Sequence, residues 1–161
     1  MSEVVLEDVA VEVTELLPAS PDDVYALLTD VARMGGLGPE NTRSTWESDD
    51  RGVGAVFRGE NVLQGRAYEV TCTVVAADPP RAFGWVVGDP ALPSTTWSYD
   101  LVELVGGTRV TQRFRHGPGR SFLRRAIAAE PDRAAELVAV RTAQLESGMR
   151  TTLRAAAALL R

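Results

Sequence analysis

Residues 95–116, TTWSYDLVELVGGTRVTQRFRH, decide the fold. Trp97, Tyr99 and Leu101 alternate with polar residues before Gly106-Gly107, and the same alternation resumes after the two glycines. A period of two is typical of half-buried strands, and a Gly-Gly pair between two such segments is typical of a hairpin turn. This stretch therefore predicts an antiparallel hairpin with one apolar, aromatic face.

The segments before this hairpin show the same alternation, separated by turn residues rich in Gly, Pro and Asp. The predicted strands are a first one between Val4 and Leu17, then Thr42–Ser48, Ala55–Leu63, Arg66–Ala77, Arg81–Val87, Thr95–Leu104 and Thr108–His116. The residues between Asp89 and Pro93 are assigned to a connection. Hairpin spacing between the last six segments predicts an antiparallel meander, and the first strand brings the predicted antiparallel sheet to seven strands.

Two helical segments frame these strands. Ser20-Pro21-Asp22-Asp23 is a helix start, because Ser caps, Pro fits the first helical position and acids favour the first turn. This helix is expected to end near Arg33, before a glycine-rich loop. After Gly117-Pro118-Gly119 the chain turns helical, and a long amphipathic helix follows a break at Glu130-Pro131-Asp132. The order predicts an α+β fold in which a curved sheet wraps the last helix, with residues 1–161 forming one domain.

The inner face of the predicted sheet is apolar with a few polar exceptions. Alternation places Asn61, Tyr68, Tyr99, Gln112 and His116 among the aromatic and aliphatic residues of that face. Each needs a hydrogen-bond partner if it is buried, and a solid core rarely collects so many such groups. We expect a ligand cavity. The alternative is that these groups lie near strand ends, or bond to one another or to the backbone.

Composition excludes several chemistries. All 17 basic residues are arginines, so imine-forming and phosphate-binding lysines are absent. One histidine, His116, and one cysteine, Cys72, are too few for a His/Cys zinc site, and no metal or cofactor is predicted. A net charge of −5 disfavours nucleic-acid partners. The N-terminal residues lack signal-peptide character and no apolar run approaches the ~20 residues of a membrane span, so a cytoplasmic location is expected.

Five segments have a characteristic order and spacing: SPDDVY at 20–25, GAVFRGEN at 54–61, DPPRAF at 78–83, TWSYDL at 96–101 and GGTRVT at 106–111. Together they resemble bacterial polyketide cyclase/dehydrase-like proteins of the START-like helix-grip superfamily, also called SRPBCC. The resemblance covers essentially the whole chain. It implies an elongated cavity between the sheet and the C-terminal helix that holds a lipophilic small molecule. It does not imply a reaction, because the family includes lipid carriers, hormone receptors and aromatase/cyclases.

The first functional hypothesis is a non-catalytic binder of a hydrophobic, lipid- or polyketide-like molecule. Aromatic residues would form its apolar wall, and a few polar groups would orient one end of the ligand. The predicted ligand-binding residues are Phe57, Asn61, Tyr68, Phe83, Trp85, Trp97, Tyr99, Gln112, Phe114 and Arg141. The alternative for each aromatic side chain is that it fills the core.

The second hypothesis is a polyketide cyclase or dehydratase acting on a carrier-bound or free poly-keto chain. Its proton-moving candidates are His116 and Tyr99, and Arg66 or Arg141 could hold an enolate. His116 ends a strand beside the Gly-Pro-Gly turn, which favours a structural or solvated histidine at the rim of the cavity.

A third hypothesis concerns a partner protein. Arginines cluster between Arg113 and Arg125. They are expected to form a solvated face or to pair with acids, and the alternative is docking of an acyl carrier protein. The sequence leaves the oligomeric state open.

Overall fold

The computed structural model describes residues 3–161; Met1 and Ser2 of the predicted domain lie outside the described residues. The strands are β1 Ala10–Leu17, β2 Asn41–Trp46, β3 Val56–Leu63, β4 Arg66–Asp78, β5 Ala82–Asp89, β6 Leu92–Leu104 and β7 Gly107–His116. The α-helices are α1 Pro21–Leu28, α2 Val31–Met34, α3 Phe122–Ala129 and α4 Ala134–Leu159. Short 3-10 turns cover Leu6–Asp8 and Pro131–Arg133.

All the strands form one antiparallel sheet with the order β1-β7-β6-β5-β4-β3-β2. Strands that follow one another in the chain from β2 to β7 are neighbours, and β1 pairs with β7 along its whole length. The sheet curves around α4, so the predicted α+β helix-grip fold with seven strands is confirmed. No helix within residues 3–161 combines the length and hydropathy that crossing a bilayer requires.

The hairpin that decided the fold turns one residue earlier than predicted. Leu104 pairs with Gly107, so the turn consists of Val105 and Gly106, and Gly106 adopts a φ of 84°. That left-handed conformation favours glycine. Gly107 is required for a different reason, because a Cβ atom there would lie 2.5 Å from the carbonyl oxygen of Leu17 on the neighbouring strand.

Three predicted boundaries were wrong. The first strand does not begin at Val4, because Leu6–Asp8 form a 3-10 turn before β1. The first helix is divided in two, because the Asp30 side chain accepts a hydrogen bond of 3.2 Å from the Arg33 N–H and starts α2. Between β5 and β6 the ladder reaches Asp89↔Leu92, which leaves a two-residue turn where a longer connection was expected.

The long helix α4 packs in two different ways along its length. In its C-terminal half, Leu145, Met149, Leu153 and Ala156 are buried in the core, and this half contacts β1. In its N-terminal half, from Ala134 to Gln144, no residue is fully buried, and Val138 is only partly buried. The first part of α4 therefore covers a space that core side chains do not fill.

Candidate functional site

A cavity of about 890 Å³ lies between the sheet and helices α3 and α4. The residues predicted from sequence to bind ligand all line it: Phe57, Asn61, Tyr68, Phe83, Trp85, Trp97, Tyr99, Gln112, Phe114 and Arg141. His116 lines it as well. The predicted cavity is thus present in the structure, and ligand binding by these residues stays a prediction.

The cavity has a floor in the middle of the sheet. On β7 the inward residues Gln112, Phe114 and His116 line it, whereas Val110, the next inward residue, is completely buried in the core. On β6 the lining likewise ends at Tyr99. Tyr99 and Gln112 are paired across the two strands, so this pair forms the boundary between the cavity and the solid core.

The walls are aromatic side chains in mutual contact. Trp85 and Trp97 lie on adjacent strands with their rings stacked 4° from parallel and their centroids 6.2 Å apart. Phe57 and Phe83 contact Trp85, with ring centroids 5.9 Å and 5.7 Å away. Both tryptophans are only partly buried, which leaves ring surface that a ligand can cover. Phe114 extends the cluster by packing edge-on against Trp97 at 4.9 Å.

The floor carries two buried polar side chains, and one of their atoms has no hydrogen-bond partner among the described residues. Gln112 is 4% exposed, and its Oε1 atom has no hydrogen-bond partner among the described residues. Tyr99 is 5% exposed, and burial raises its pKa far above that of an ordinary tyrosine. The Tyr99 hydroxyl is therefore neutral at physiological pH and can donate a hydrogen bond.

Asn61 differs from Gln112 because the protein satisfies it. Its Nδ2 donates to the carbonyl oxygen of Gly59 at 3.2 Å, and its Oδ1 accepts from Asn41 Nδ2 at 3.3 Å. Asn41 in turn accepts a hydrogen bond from the hydroxyl of Ser44. Asn61 thus follows the alternative given above, in which an inward polar group bonds to other protein groups and needs no ligand. It is a fixed part of the cavity wall.

His116 is buried at 2% exposure, so of the two roles predicted for it, structural or solvated, the structure agrees with the structural one. Its Nδ1 lies 2.7 Å from the Gly117 carbonyl oxygen, which can only accept, so Nδ1 carries the proton. Its Nε2 lies 2.7 Å from Ser121 Oγ, which donates to it while accepting the Arg124 N–H. Burial lowers the His116 pKa, so the ring is a neutral structural group whose nitrogens are both occupied.

Among the described residues, the cavity offers neither a reactive thiolate nor a cluster of metal ligands. Cys72 lines the cavity but is buried, and burial raises the pKa of its thiol to about 12. It is therefore a thiol rather than a nucleophilic thiolate at neutral pH. Within residues 3–161, no three His, Cys, Asp or Glu side chains come together in a way that could hold a metal ion.

Arg141 reaches the cavity as predicted but is engaged by an acid. Its Nη1 and Nη2 donate to the two carboxylate oxygens of Glu40 at 2.7 Å and 2.9 Å. Tyr68 lies in the same part of the lining, where its pKa is raised by burial and further by the charge of Glu40. Arg66, the other arginine predicted to reach the cavity, is exposed at the start of β4 and points elsewhere.

The predicted arginine cluster is split between two faces. Arg113 lies on the outer face of the sheet, where it pairs with Asp100 and, at 3.5 Å, with Glu12. Arg120, Arg124 and Arg125 instead line the cavity mouth. Strand alternation could not place these three, because they follow the last strand. The signal that could have placed them is the Gly-Pro-Gly turn, which brings the chain back to the end of the sheet.

The arginines at the mouth differ in their pairing. Arg124 is held by Glu7 at 3.2 Å and by the carbonyl oxygens of Gly117 and Gly119. Arg120 and Arg125 are exposed and form no ion pair within residues 3–161. The Arg125 guanidinium lies 4.9 Å from the ring centroid of Phe122, which is 39% exposed. The mouth is therefore basic and aromatic, whereas the floor is neutral.

Comparison with solved structures agrees with this architecture. The chain is similar to the polyketide-cyclase-like protein Cgl2372 from Corynebacterium glutamicum, at 30% identity and a TM-score of 0.69. The match covers 94% of this chain and 91% of that protein. Two di-domain ARO/CYC proteins share the fold: StfQ from the steffimycin pathway at 17% identity and TM-score 0.74, and BexL from the BE-7585A pathway at 20% and 0.70. Each match covers 94% of this chain and 50% of the di-domain protein.

No curated protein matches the chain at a significant level. Residues 8–158 match the family described as polyketide cyclase / dehydrase and lipid transport, which includes nearly all of the described structure. With this match and the 30% identity to Cgl2372, the chain belongs to that family.

Proposed function

We propose that the protein binds a hydrophobic small molecule, lipid- or polyketide-like, in the cavity between the sheet and α4. The observation that carries this proposal is a cavity of about 890 Å³ with an aromatic wall and with the polar side chains of Tyr99 and Gln112 at its floor. Ligand pockets typically measure ~300–1,000 Å³ and combine apolar walls with a few polar groups. Family membership supports the same chemical class of ligand.

The contacts of the titratable groups favour binding over catalysis. His116 would be the natural proton carrier at neutral pH, but both of its ring nitrogens are bonded to Gly117 and Ser121. The raised pKa of Tyr99 makes its hydroxyl a hydrogen-bond donor and a very weak acid. Tyr99 can therefore hold and orient a molecule without exchanging protons with it, and His116 has no ring nitrogen free to contact one.

A fluorescence titration with the neutral probe N-phenyl-1-naphthylamine tests the proposal. Val70 and Val87 line the cavity, whereas Val62 and Val75 are exposed on β3 and β4. Val70→Phe/Val87→Phe should weaken binding by about tenfold, because overpacking costs at least ~1 kcal/mol. The control Val62→Phe/Val75→Phe should bind as the wild type does. A wild-type protein without saturable binding, or equal loss in both variants, would contradict the proposal.

The alternative function is a polyketide cyclase or dehydratase. The observation that favours it is the Tyr99–Gln112 pair, whose hydroxyl and amide groups could contact the oxygen of a poly-keto chain lying on the aromatic wall. In this alternative Tyr99 stabilises a developing enolate by hydrogen bonding. His116 keeps the end of β7 in place rather than moving protons.

An acyl carrier protein is the partner that fits this alternative. Arg120 and Arg125 are exposed at the mouth and have no acidic partner within residues 3–161, although the chain as a whole has a net charge of −5. Arginine pairs well with carboxylates and phosphates, and an acidic carrier would bring both to the mouth. The paired state of Arg124 excludes it from the proposed docking residues.

A further inference from the structure

Two positive charges at the cavity mouth indicate the charge of the ligand. Arg120 and Arg125, the free arginines of the mouth, line the cavity, are exposed, and have no acidic partner within residues 3–161. Arg124 is already held by Glu7. Although the whole chain has a net charge of −5, the mouth therefore carries a local excess of positive charge that no described acid neutralises.

The carboxylates of the cavity lining do not cancel this excess. Within the described residues the lining contains two of them, Glu40 and Glu69. Arg141 donates two hydrogen bonds to Glu40, and Arg58 lies 3.4 Å from Glu69. Because each acid is paired with its own arginine, the charge left over in the lining is that of the free arginines.

An aromatic surface lies beside the free arginines. Phe122 is 39% exposed, and its ring packs edge-on against Tyr68 with the centroids 4.8 Å apart. The guanidinium of Arg125 lies 4.9 Å from the centroid of the Phe122 ring. Both rings line the cavity, so apolar surface and positive charge are adjacent at its mouth. An apolar molecule that ends in an anionic group can use both.

The interior of the cavity offers no comparable place for an anion. Tyr99 and Gln112 at the floor are neutral, and burial lowers the pKa of His116, whose ring nitrogens are both bonded. An anion moved to the floor would lose its hydration without gaining a cation. The charged end of a ligand is therefore favoured at the mouth and its apolar end at the floor.

We propose that the cavity selects amphipathic anions, which have an apolar body and one oxyanion group, a carboxylate, sulfonate or phosphate, bound by Arg120 and Arg125. This inference rests on the proposed ligand-binding function and names the chemical class of the ligand. It also gives the ligand a direction, with the apolar end entering first. The anion belongs to the ligand itself, whereas in the cyclase alternative the same arginines would contact a carrier protein.

Two probes that differ by one sulfonate group test the inference: 1-anilinonaphthalene-8-sulfonate and its neutral parent N-phenyl-1-naphthylamine. Their dissociation constants are measured by fluorescence with the wild type and with Arg120→Gln/Arg125→Gln. The control is Arg109→Gln/Arg115→Gln. It removes two exposed arginines from the outer face of β7, away from the cavity lining, and changes the net charge equally.

The preference is the ratio of the dissociation constant of the neutral probe to that of the sulfonate probe. It should fall about fivefold in Arg120→Gln/Arg125→Gln, because two exposed charge pairs are lost, and stay near the wild-type value in the control. Raising sodium chloride from ~20 mM to ~500 mM should lower the wild-type preference in the same direction, because salt screens exposed charges. The neutral probe should displace the sulfonate probe, since both occupy one cavity.

The outcomes separate this inference from the proposed function. If both probes bind but the preference is unchanged by Arg120→Gln/Arg125→Gln and by salt, selection of anions is overturned while ligand binding stands. An equal fall in the control, or a sulfonate probe that the neutral probe does not displace, overturns it as well. If neither probe binds, the proposed function fails and this inference fails with it. Circular dichroism checks that the variants fold, and the salt titration of the wild type decides the question without them.

Discussion

The ion pair between Glu40 and Arg141 allows a quantitative prediction. Glu40 follows the glycine-rich segment after α2, and Arg141 lies on α4, so the pair connects two segments that border the cavity. The two hydrogen bonds are parallel and short, and the side chains are 24% and 21% exposed. Removing either partner leaves the other largely buried without its opposite charge.

The expected coupling energy between Glu40 and Arg141 lies between the values for exposed ion pairs and those for fully buried ion pairs. At an effective dielectric constant of ~20, two unit charges ~4 Å apart attract by about 4 kcal/mol. Desolvation of both groups and loss of side-chain entropy offset most of this, and exposed pairs keep only ~0.2–1 kcal/mol. For a bidentate pair that is mostly buried, we expect a coupling energy of about 1–2 kcal/mol.

A double-mutant cycle in urea measures this coupling. The variants are Glu40→Gln, Arg141→Met and the double variant, and the same cycle on Arg43 and Glu60 serves as control. The control pair is separated by 3.7 Å, and its side chains are 74% and 55% exposed, so a coupling near zero is expected. Salt should weaken the Glu40–Arg141 coupling only slightly. A coupling below about 0.3 kcal/mol, or one equal to that of the control, refutes the reasoning.

The contacts described above lead to three further predictions. Burial lowers the folded-state pKa of His116, so the contribution of this residue to stability is complete above its unfolded pKa of about 6.5 and is lost as the pH falls through the folded value. The free energy of unfolding in urea should therefore fall more between pH 8 and pH 5.5 in the wild type than in His116→Gln. Equal decreases in the two proteins would contradict this. If the protein is a cyclase, Tyr99→Phe should slow turnover of a carrier-linked poly-keto probe about a hundredfold. Arg125→Glu should weaken binding of the carrier protein, and that binding should be sensitive to salt. Unchanged turnover and unchanged binding would count against the cyclase alternative.

The strands and their order could be predicted because their signals are local. Alternation and turn residues identify each strand, and hairpin-length connections leave few ways to arrange them. The errors arose where a local turn or a single capping hydrogen bond, and not the pattern of apolar residues, sets the end of a helix or strand. Leu6–Asp8 wind into a 3-10 turn within an alternating segment, and the cap at Asp30 divides one predicted helix into two. The two-residue turn after Asp89 depends on its carboxylate, which accepts a hydrogen bond of 2.9 Å from the Ala91 N–H.

The inner face of the sheet could also be predicted, because side chains alternate strictly between the two faces of a strand. What alternation cannot show is which polar groups on that face find partners. One hydrogen-bond partner of each of the two residues, Asn41 for Asn61 and Ser121 for His116, belongs to another segment of the chain. Only the three-dimensional arrangement separates these satisfied groups from Gln112, which has the same position in the sequence pattern and a different role in the fold.

The two halves of α4 explain how a chain of this size can hold a cavity of about 890 Å³. Leu153 and Ala156 are completely buried, so the C-terminal half supplies the close packing that stabilises the fold. That anchored half holds the first part of the helix above the sheet, where Leu137 and Val140 line the cavity instead of filling it. Apolar surface left open in this way is a cost to stability that a ligand can reverse by binding the folded state alone. Ligand binding should therefore stabilise the protein chiefly through the part of α4 between Ala134 and Gln144.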